Sequence, residues 1–471
     1  MIYVHISQFY PDTKLNFNVE GITANSKKVR KNFIFVCIKG QKNNGYKFIN
    51  EALELGACLI ISNHHKLGDK FLYVKDPKLE YIRILQIFYN YNQTIYTVGV
   101  TGTDGKTTTA TILSYILNKV NNSAYLGTNG LNYLNKHIDT INTTPGPEFL
   151  YPTYQTLQKQ SIHDLVMEVS SEGILDNRIY NFNFQGAIFT NLTHEHLNTH
   201  KTMNQYFLCK MKLFEQMPKN SLAVINADEK YSTRIRYYTK AKIVTYGFNH
   251  GDYKITNYKI FLDHSIFDVY YKSYYLGTFY TNLFGKYNMY NLLACISYAY
   301  EIGIDIQTIK SAIKELKQVK GRFMVYEKKN KTFIIDYAHT PNALENLISN
   351  IKSITNRRII HITGAQGEKD TTKRSKMGLI STNLADITIF TSEDPKNESL
   401  FNIFIDLIKD IKDKDYYLTL SRYEAISLAI KIAKDDDIIL ITGKGEENTE
   451  KIGKYIFHHS DLDLIKEALN S

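Results

Sequence analysis

One stretch limits the fold of this chain more than any other: Ile95-Tyr-Thr-Val-Gly-Val100, then Thr101-Gly-Thr-Asp-Gly-Lys-Thr-Thr-Thr109, then Ala110–Lys119. The first run is β-rich and the last has helical apolar spacing. A strand that passes through a glycine loop into a helix is the opening unit of a parallel, helix-covered sheet. Glycines let backbone N–H groups turn onto phosphate oxygens, Lys106 can reach terminal phosphates, and the Thr107 hydroxyl can face Mg²⁺. The loop departs from the strict G-x-x-x-x-G-K-T pattern, whose first glycine would fall on Val100. A chance Gly-Lys-Thr is the bland alternative, and the flanking strand and helix weigh against it.

The alternation continues downstream. Strands are expected at Leu165–Val169, Ala187–Thr190 and Leu222–Ile225, with a helix over Met203–Gln216. After about residue 320 it restarts, with strand-like Phe333–Ile335, Ile359–Thr363, Ile387–Thr391 and Ile438–Thr442, and helical Leu400–Ile411 and Arg422–Ala433. Before Ile95, short strands mix with a helix-like stretch ending near Ala57. At 471 residues the chain has room for about three domains of roughly 150 residues. The expected fold is α/β in three domains: 1–93, a central parallel-sheet phosphate-loop domain at 94–320, and a Rossmann-like domain at 321–471.

Composition sets bounds on partners. Hydrophobic content of 43% and charged content of 22% suit a soluble globular protein. No run nears the ~18 apolar residues of a membrane span, and the start, Met1-Ile-Tyr-Val-His-Ile-Ser, does not read as a signal peptide. Cys37, Cys58, Cys209 and Cys295 form no CxxC pair, as expected in a reducing cytoplasm. The net charge of +10 is scattered, whereas nucleic-acid binders cluster theirs. A cytoplasmic monomer with no nucleic-acid partner is the expectation.

Several residues carry candidate chemistry. Glu168 ends a strand, at the sheet edge where α/β sites lie. His194, His196 and His200 invite zinc, yet no cysteine assists, and the nearby carboxylate and phosphate loop favour hard Mg²⁺. Lys210 by default is a solvated helix lysine. Asn288 and Asn291 lie three apart on one helix face.

The loop Thr101–Thr108 resembles the T-G-T-x-G-K-T-T loop of the Mur ligase family and its folylpolyglutamate synthetase relatives, and the similarity runs from Gly21 to Gly445. Phe189-Thr-Asn-Leu-Thr-His-Glu-His-Leu-Asn-Thr-His200 resembles the family's D-H-L-D-x-H segment, with Glu195 and Asn198 where it has Asp. Tyr206-x-x-x-Lys210-x-x-Leu-Phe214, Gly285-x-x-Asn288-x-x-Asn291-x-x-Ala294, Gly321-Arg322 and Asp336-Tyr-Ala-His339-Thr-Pro341 match further motifs, with Lys320 in place of the usual proline. The resemblance implies ATP on Gly102, Thr103, Asp104, Gly105, Lys106, Thr107, Thr108, Asn288, Asn291, Arg322, Asp336 and His339. It implies Mg²⁺ on Glu168 and His196, joining Thr107, and on Lys210 carbamylated by CO₂ (N6-carboxylysine). The catalytic set is then Lys106, Glu168, His196 and Lys210.

The resemblance also implies a UDP-sugar peptide held by the N-terminal domain through Ser26, by Asn142-Thr143-Thr144-Pro145, and by Ser170 and Arg178. Asn25 and Glu172 stand where the family has Asp and His. The incoming amino acid would meet Lys369, Asp394, Lys396, Gly443 and Glu447. Members using meso-diaminopimelate carry D-N-P-R and G-D-R-D, where this chain has Glu393-Asp-Pro-Lys396 and Gly367-Glu-Lys-Asp370; Gly443-Lys-Gly-Glu-Glu447 replaces G-K-G-H-E. A lysine lacks the bidentate fork of arginine. With Glu393, Asp394, Glu398, Glu446 and Glu447 the site is acidic, which suits a distal ammonium. The implied function is ATP-dependent addition of a diamino acid, L-lysine ahead of meso-diaminopimelate, to UDP-N-acetylmuramoyl-L-Ala-D-Glu through an acyl phosphate. One rival is a family paralogue acting on another carboxylate such as folate; the Asn142–Pro145 loop and the long N-terminal segment weigh against folate. The other is a non-catalytic nucleotide-binding scaffold, against which stand Lys106, Glu168 and Lys210.

Overall fold

The computed structural model describes residues 2–39, 44–64, 68–193, 195, 197–317, 323–445 and 447–470. It forms two compact units, residues 1–97 with 121–184, and residues 98–120 with 185–471.

In the first unit, strands Gly21–Thr23, Phe33–Val36, Ala57–Ser62 and Phe71–Tyr73 pair in that order, all parallel. Phe33-Ile-Phe-Val36 and Ala57-Cys-Leu-Ile-Ile-Ser62 are near-continuous apolar runs, the pattern of a parallel sheet covered on both faces. The expected helix-like stretch is the helix Ile49–Glu54. A longer helix, Pro77–Phe88, starts where Asp76 accepts from the N–H groups of Lys78 and Leu79 and proline takes the first helical position. A second set of strands in this unit runs Lys136–Ile138, Gly130–Tyr133, Ser123–Gly127 and Asp164–Glu168. The first three meet antiparallel, and the last two pair in parallel. Gly130 closes the tight turn at φ +75, where a Cβ would lie 2.6 Å from the Ile138 carbonyl oxygen.

In the second unit, residues 98–101 of the strand Tyr96–Thr101 pair in parallel with Gly186–Phe189, followed by Leu222–Asn226 and Lys242–Gly247. An arm of Tyr253–Ile260, Ser265–Tyr271 and Tyr274–Thr281 extends this sheet, antiparallel within itself. Next comes a six-stranded sheet in the order Met324–Lys328, Lys331–Asp336, Ile438–Thr442, Ile359–Thr363, Ile387–Phe390, Tyr416–Leu418. Only its first pair is antiparallel. Alternation along the strands sorts two cores. Ile334 and Leu440 pack with Leu344, Ile348, Met377 and Ile403 on one face. Phe333, Ile335, Ile439 and Ile441 pack with Ala425, Ile426, Ala429 and Ile465 on the other.

The α/β expectation holds, and every strand and helix expected after Ile95 is present, with ends shifted by up to four residues. The loops that leave the parallel strands at Thr101, Phe189, Asp336, Thr363, Phe390 and Thr442 begin at carboxyl ends, where an open α/β sheet leaves its ligand crevice. No helix among the described residues is long and apolar enough to cross a membrane.

Candidate active site

The phosphate loop leads into the helix Lys106–Leu117 through Gly105, whose φ of +82 favours glycine. The next strand holds the loop in place. Asp104 N–H donates to Asn191 Oδ1 at 2.8 Å, Thr103 N–H to the Asn191 carbonyl at 3.0 Å, and the Thr190 hydroxyl to the Asp104 carbonyl at 2.7 Å. A Cβ on Gly102 would fall 1.9 Å from Thr190 Oγ1, so loop and strand touch there. Lys106 folds back, its ammonium donating to the carbonyls of Thr103 at 2.7 Å and Gly102 at 3.1 Å. Thr107 and Thr108 are buried in the first helical turn.

Lys210 reaches the same loop. Its Nζ is fully buried, donates to the Gly102 carbonyl at 2.8 Å and sits 4.5 Å from the centre of the Tyr206 ring. Burial, reinforced by the nearby Lys106 charge, holds its amine well below the usual lysine range. Tyr206 also contacts Thr103 Oγ1 at 3.3 Å and stacks on His200. The solvated-lysine alternative fails, because the helix Met203–Glu215 turns Lys210 inward among Tyr206, Phe207, Met211 and Phe214.

In the first unit, Glu168 ends its strand fully buried. Its carboxylate accepts from the Tyr125 hydroxyl at 2.5 Å and from Thr128 N–H at 2.9 Å. Around it gather the sugar-peptide candidates. Thr144 Oγ1 donates to the Glu168 carbonyl at 2.9 Å and lies 3.1 Å from Ser170 Oγ; Thr143 Oγ1 is 3.0 Å from Thr128 Oγ1. Arg178 donates to the Thr144 carbonyl and pairs with Asp176 at 2.8 Å. Asn142 is exposed, and Ser26 is buried in a short turn capped by Asn25.

The remaining candidates lie on the loops of the six-stranded sheet. Asp336 accepts from Phe323 N–H at 2.8 Å and Ala338 N–H at 2.7 Å, so both its oxygens hold backbone. His339 Nδ1 is 2.8 Å from the Tyr337 carbonyl, and Tyr337 donates to Glu447 at 3.2 Å. Lys373 Nζ donates to the His339 carbonyl at 2.8 Å and to Glu195 at 3.1 Å. Burial raises the Glu195 carboxyl, with Lys373 opposing.

The expected acidic pocket is modified here. Asp394 and Glu447 are joined by buried Lys444, at 3.0 and 2.5 Å, and Glu398 pairs with Arg374 at 2.6 Å. Their charges are therefore answered within the protein. Glu393 differs: it is fully buried, neither carboxylate oxygen has a hydrogen-bond partner among the described residues, and burial pushes its carboxyl up to about 7 against the pull of Arg422. Gly443, at φ +106, admits this carboxylate, since a Cβ there would lie 2.0 Å from Glu393 Oε2. Lys396 donates to the Gly367 carbonyl at 3.0 Å, and Lys369 is exposed.

His194, His196, Arg322 and Glu446 lie outside the described residues. Sequence reasoning passed over Tyr125, Thr128, Thr190, Asn191, Lys373 and Lys444. Thr190-Asn191 stood in plain view as polar residues following a buried strand, whereas nothing local marks Tyr125 or Lys373 as partners of distant carboxylates.

A phosphate loop with a second buried lysine on its own carbonyl, carried on α/β sheets, defines a nucleoside-triphosphate-dependent ligase scaffold. The Mur ligase middle domain matches residues 100–299 and the Mur ligase, glutamate ligase domain matches residues 321–445. The UDP-N-acetylmuramoyl-L-alanyl-D-glutamate–2,6-diaminopimelate ligase of Clostridium perfringens is 33% identical, over 96% of this chain and 95% of that one. The ligase of the same description from Aquifex aeolicus is 34% identical, over 96% and 94%. A solved structure of a diaminopimelate ligase of this description superposes with a TM-score of 0.70 at 26% identity, covering 100% of this chain and 99% of that one. A MurF ligase of Thermotoga maritima, solved with ADP, shares the fold with a TM-score of 0.67 at 21% identity, over 95% of this chain and 96% of that one. The chain belongs to the Mur ligase family of ATP-dependent amide-bond-forming ligases.

Proposed function

We propose that this chain joins a diamino acid to UDP-N-acetylmuramoyl-L-alanyl-D-glutamate at the expense of ATP, as a cytoplasmic step in building peptidoglycan precursors. The proposed domain limits are those expected from sequence, 1–93, 94–320 and 321–471. The observation that carries the reaction class is Lys210: a buried amine, whose burial disfavours its charged form, on the carbonyl of a phosphate-loop glycine. An uncharged amine is the form that reacts with CO₂; the N–C bond forms and a proton leaves, giving a carbamate anion. Lys106 and the N–H groups at the start of its helix would then bind the terminal phosphates of ATP. A substrate carboxylate oxygen attacks the γ-phosphorus, ADP departs, and the neutral α-amine displaces phosphate from the acyl phosphate. The Thr107 hydroxyl and a Lys210 carbamate would offer hard oxygen donors suited to Mg²⁺, and the family resemblance would add Glu168 and His196. Bound there, the ion would screen phosphate charge. Thr143, Thr144, Ser170 and Arg178 would position the muramoyl peptide, with Ser26 and Asn142.

Meso-diaminopimelate is the first reading for the added amino acid, on near-full-length likeness to ligases named for it. Lys396 and Lys369 would then serve the distal carboxylate. L-lysine is the second reading, favoured by Glu393, whose oxygens have no hydrogen-bond partner among the described residues, and by Lys396 being spent on the Gly367 carbonyl. Phosphate release from ATP, measured with the UDP-muramoyl dipeptide and each amino acid in turn, tests both. No release with any amino acid would sink the ligase reading.

Lys210→Ala should be inactive and partly rescued by acetate or formate, which return an anion to the vacated space. Full activity of the alanine variant, with only free amine at Lys210 by mass spectrometry in bicarbonate, would remove the carbamate.

A further inference from the structure

Two neighbouring basic residues follow the loop of residues 364–370, and they take different partners. Arg374, the first residue of helix Arg374–Leu384, anchors that loop to its own sheet. Its guanidinium donates to both Glu398 oxygens at 2.6 and 2.8 Å, to Asp406 at 2.9 Å and to the Gln366 carbonyl at 3.0 Å. Lys373, which ends the short turn Thr371–Lys373, reaches elsewhere. Its Nζ donates to the His339 carbonyl at 2.8 Å and to Glu195 Oε1 at 3.1 Å. Glu195 closely follows Thr193, whose N–H donates to Thr103 Oγ1 at 3.0 Å and whose hydroxyl donates to Asp104 Oδ2 at 3.3 Å. One ammonium therefore ties the loop of residues 364–370 to the Asp336–His339 motif and to a segment that hangs on the phosphate loop.

This tie is shielded from water: the Lys373 and Glu195 side chains are only 8% and 7% exposed. Lys373 is the one ion-pair partner of Glu195 among the described residues, and Glu195 Oε2 has no hydrogen-bond partner among them. Asp104 and Asp370 add negative charge beside it. Asp370 is engaged on its own turn, where Oδ1 accepts from the N–H and the hydroxyl of Thr372. Without the lysine charge, a buried carboxylate would face two others, and repulsion would push the loop of residues 364–370 away from the phosphate loop.

We propose that Lys373 is a positioning residue for the second half of the reaction: it holds the amino-acid loops against the phosphate loop, so that the amine rather than water meets the acyl phosphate. This rests on the ligase reading above. The acyl phosphate forms on the phosphate-loop side, whereas the amine arrives on the loops of the six-stranded sheet. A misplacement of about 1 Å between reacting groups can cost about 100-fold in rate. A slow amine leaves the intermediate open to water. Water then attacks the acyl carbon, phosphate leaves, the carboxylic acid returns, and ATP has been hydrolysed with no amide formed.

The test uses the full-length protein with ATP, UDP-muramoyl dipeptide and the amino acid that the wild type accepts, and counts ADP and amide product in the same reaction. The wild type should make one ADP per amide. A wild type that makes no amide overturns the ligase reading itself. Given an active wild type, Lys373→Met should slow amide formation about 100-fold, raise KM for the amino acid, and raise the ADP-to-amide ratio to about two or more. Lys373→Arg, which keeps a cation, should return the ratio towards one. Glu195→Gln should raise the ratio too, and the double variant with Lys373→Met should be little worse than Lys373→Met alone. Loss of folded protein lowers ADP and amide in step and leaves the ratio at one, so a ratio of one in Lys373→Met, at whatever rate, would overturn the positioning role while leaving the ligase reading intact. Should Lys373→Met not fold, the ratio in Glu195→Gln decides in the same way.

Discussion

A carboxylate buried without hydrogen-bond partners is costly in its charged form, and Glu393, which has none among the described residues, has its carboxyl raised to about 7. The ordinary value is 4.5. Between these two pH values the folded protein holds a proton there that the unfolded chain releases. Stability therefore falls as pH rises through this window. Glu393→Gln removes the effect. At pH 8 the variant should be more stable than wild type by up to about 3 kcal/mol, and at pH 4.5 the difference should vanish. Thermal melts across this range give the readout; a constant offset would mean that Glu393 stays charged, its partner being a group that answers it. Glu393 was visible in the sequence as part of an acidic cluster. What the sequence could not show is which acids are neutralised, because Lys444 is 50 residues from Asp394 and only folding brings them to 3.0 Å.

At the scale of elements, helices Arg422–Ile432 and Asp461–Asn470 are pinned by a buried pair. Arg422 Nε is 2.8 Å from Asp461 Oδ1, its second donor reaches Oδ2 at 2.8 Å, and it also donates to the Thr442 carbonyl at 3.0 Å. Removing one partner leaves the other charge stranded. Arg422→Met should cost about 3–5 kcal/mol in urea unfolding, and Arg422→Met with Asp461→Leu should recover much of that. A loss below about 1 kcal/mol would show that His459, 3.1 Å from Asp461, takes over as its partner. The helices and parallel strands of this region were legible because buried strands read as short apolar runs and amphipathic helices keep a 3.6-residue period. The antiparallel arm from Tyr253 to Thr281 was not, since its tyrosines and lysines, buried Tyr253 apart, are exposed or half-buried. An arm of that kind carries too little apolar contrast to announce its strands.

At the scale of the whole molecule, the proposed amino-acid site would join the loops after three strands of the six-stranded sheet: residues 364–370, 391–396 and 443–445 with 447. Motif spacing pointed to these three loops in the sequence, but their charge balance came only from three-dimensional pairing. With Asp394 and Glu447 tied to Lys444, the groups left among the described residues to read a distal substituent would be Glu393, Lys396 and exposed Lys369. Lys396 can exchange the Gly367 carbonyl for a substrate carboxylate at modest cost, since a charge-assisted bond contributes about 1.5–3 kcal/mol. Under the first reading, kcat/KM for meso-diaminopimelate exceeds that for L-lysine at least ~10-fold, about 1.4 kcal/mol. Lys396→Ala then erases most of that preference, and Lys396→Arg, with a bidentate fork, widens it. Glu393→Gln leaves the preference in place. The opposite pattern, with L-lysine preferred and Glu393→Gln abolishing its use while Lys396→Ala does little, would assign the pocket to an ammonium. In that event Glu393 would be its counter-ion, and its unpartnered oxygens would be the space the substrate amine fills.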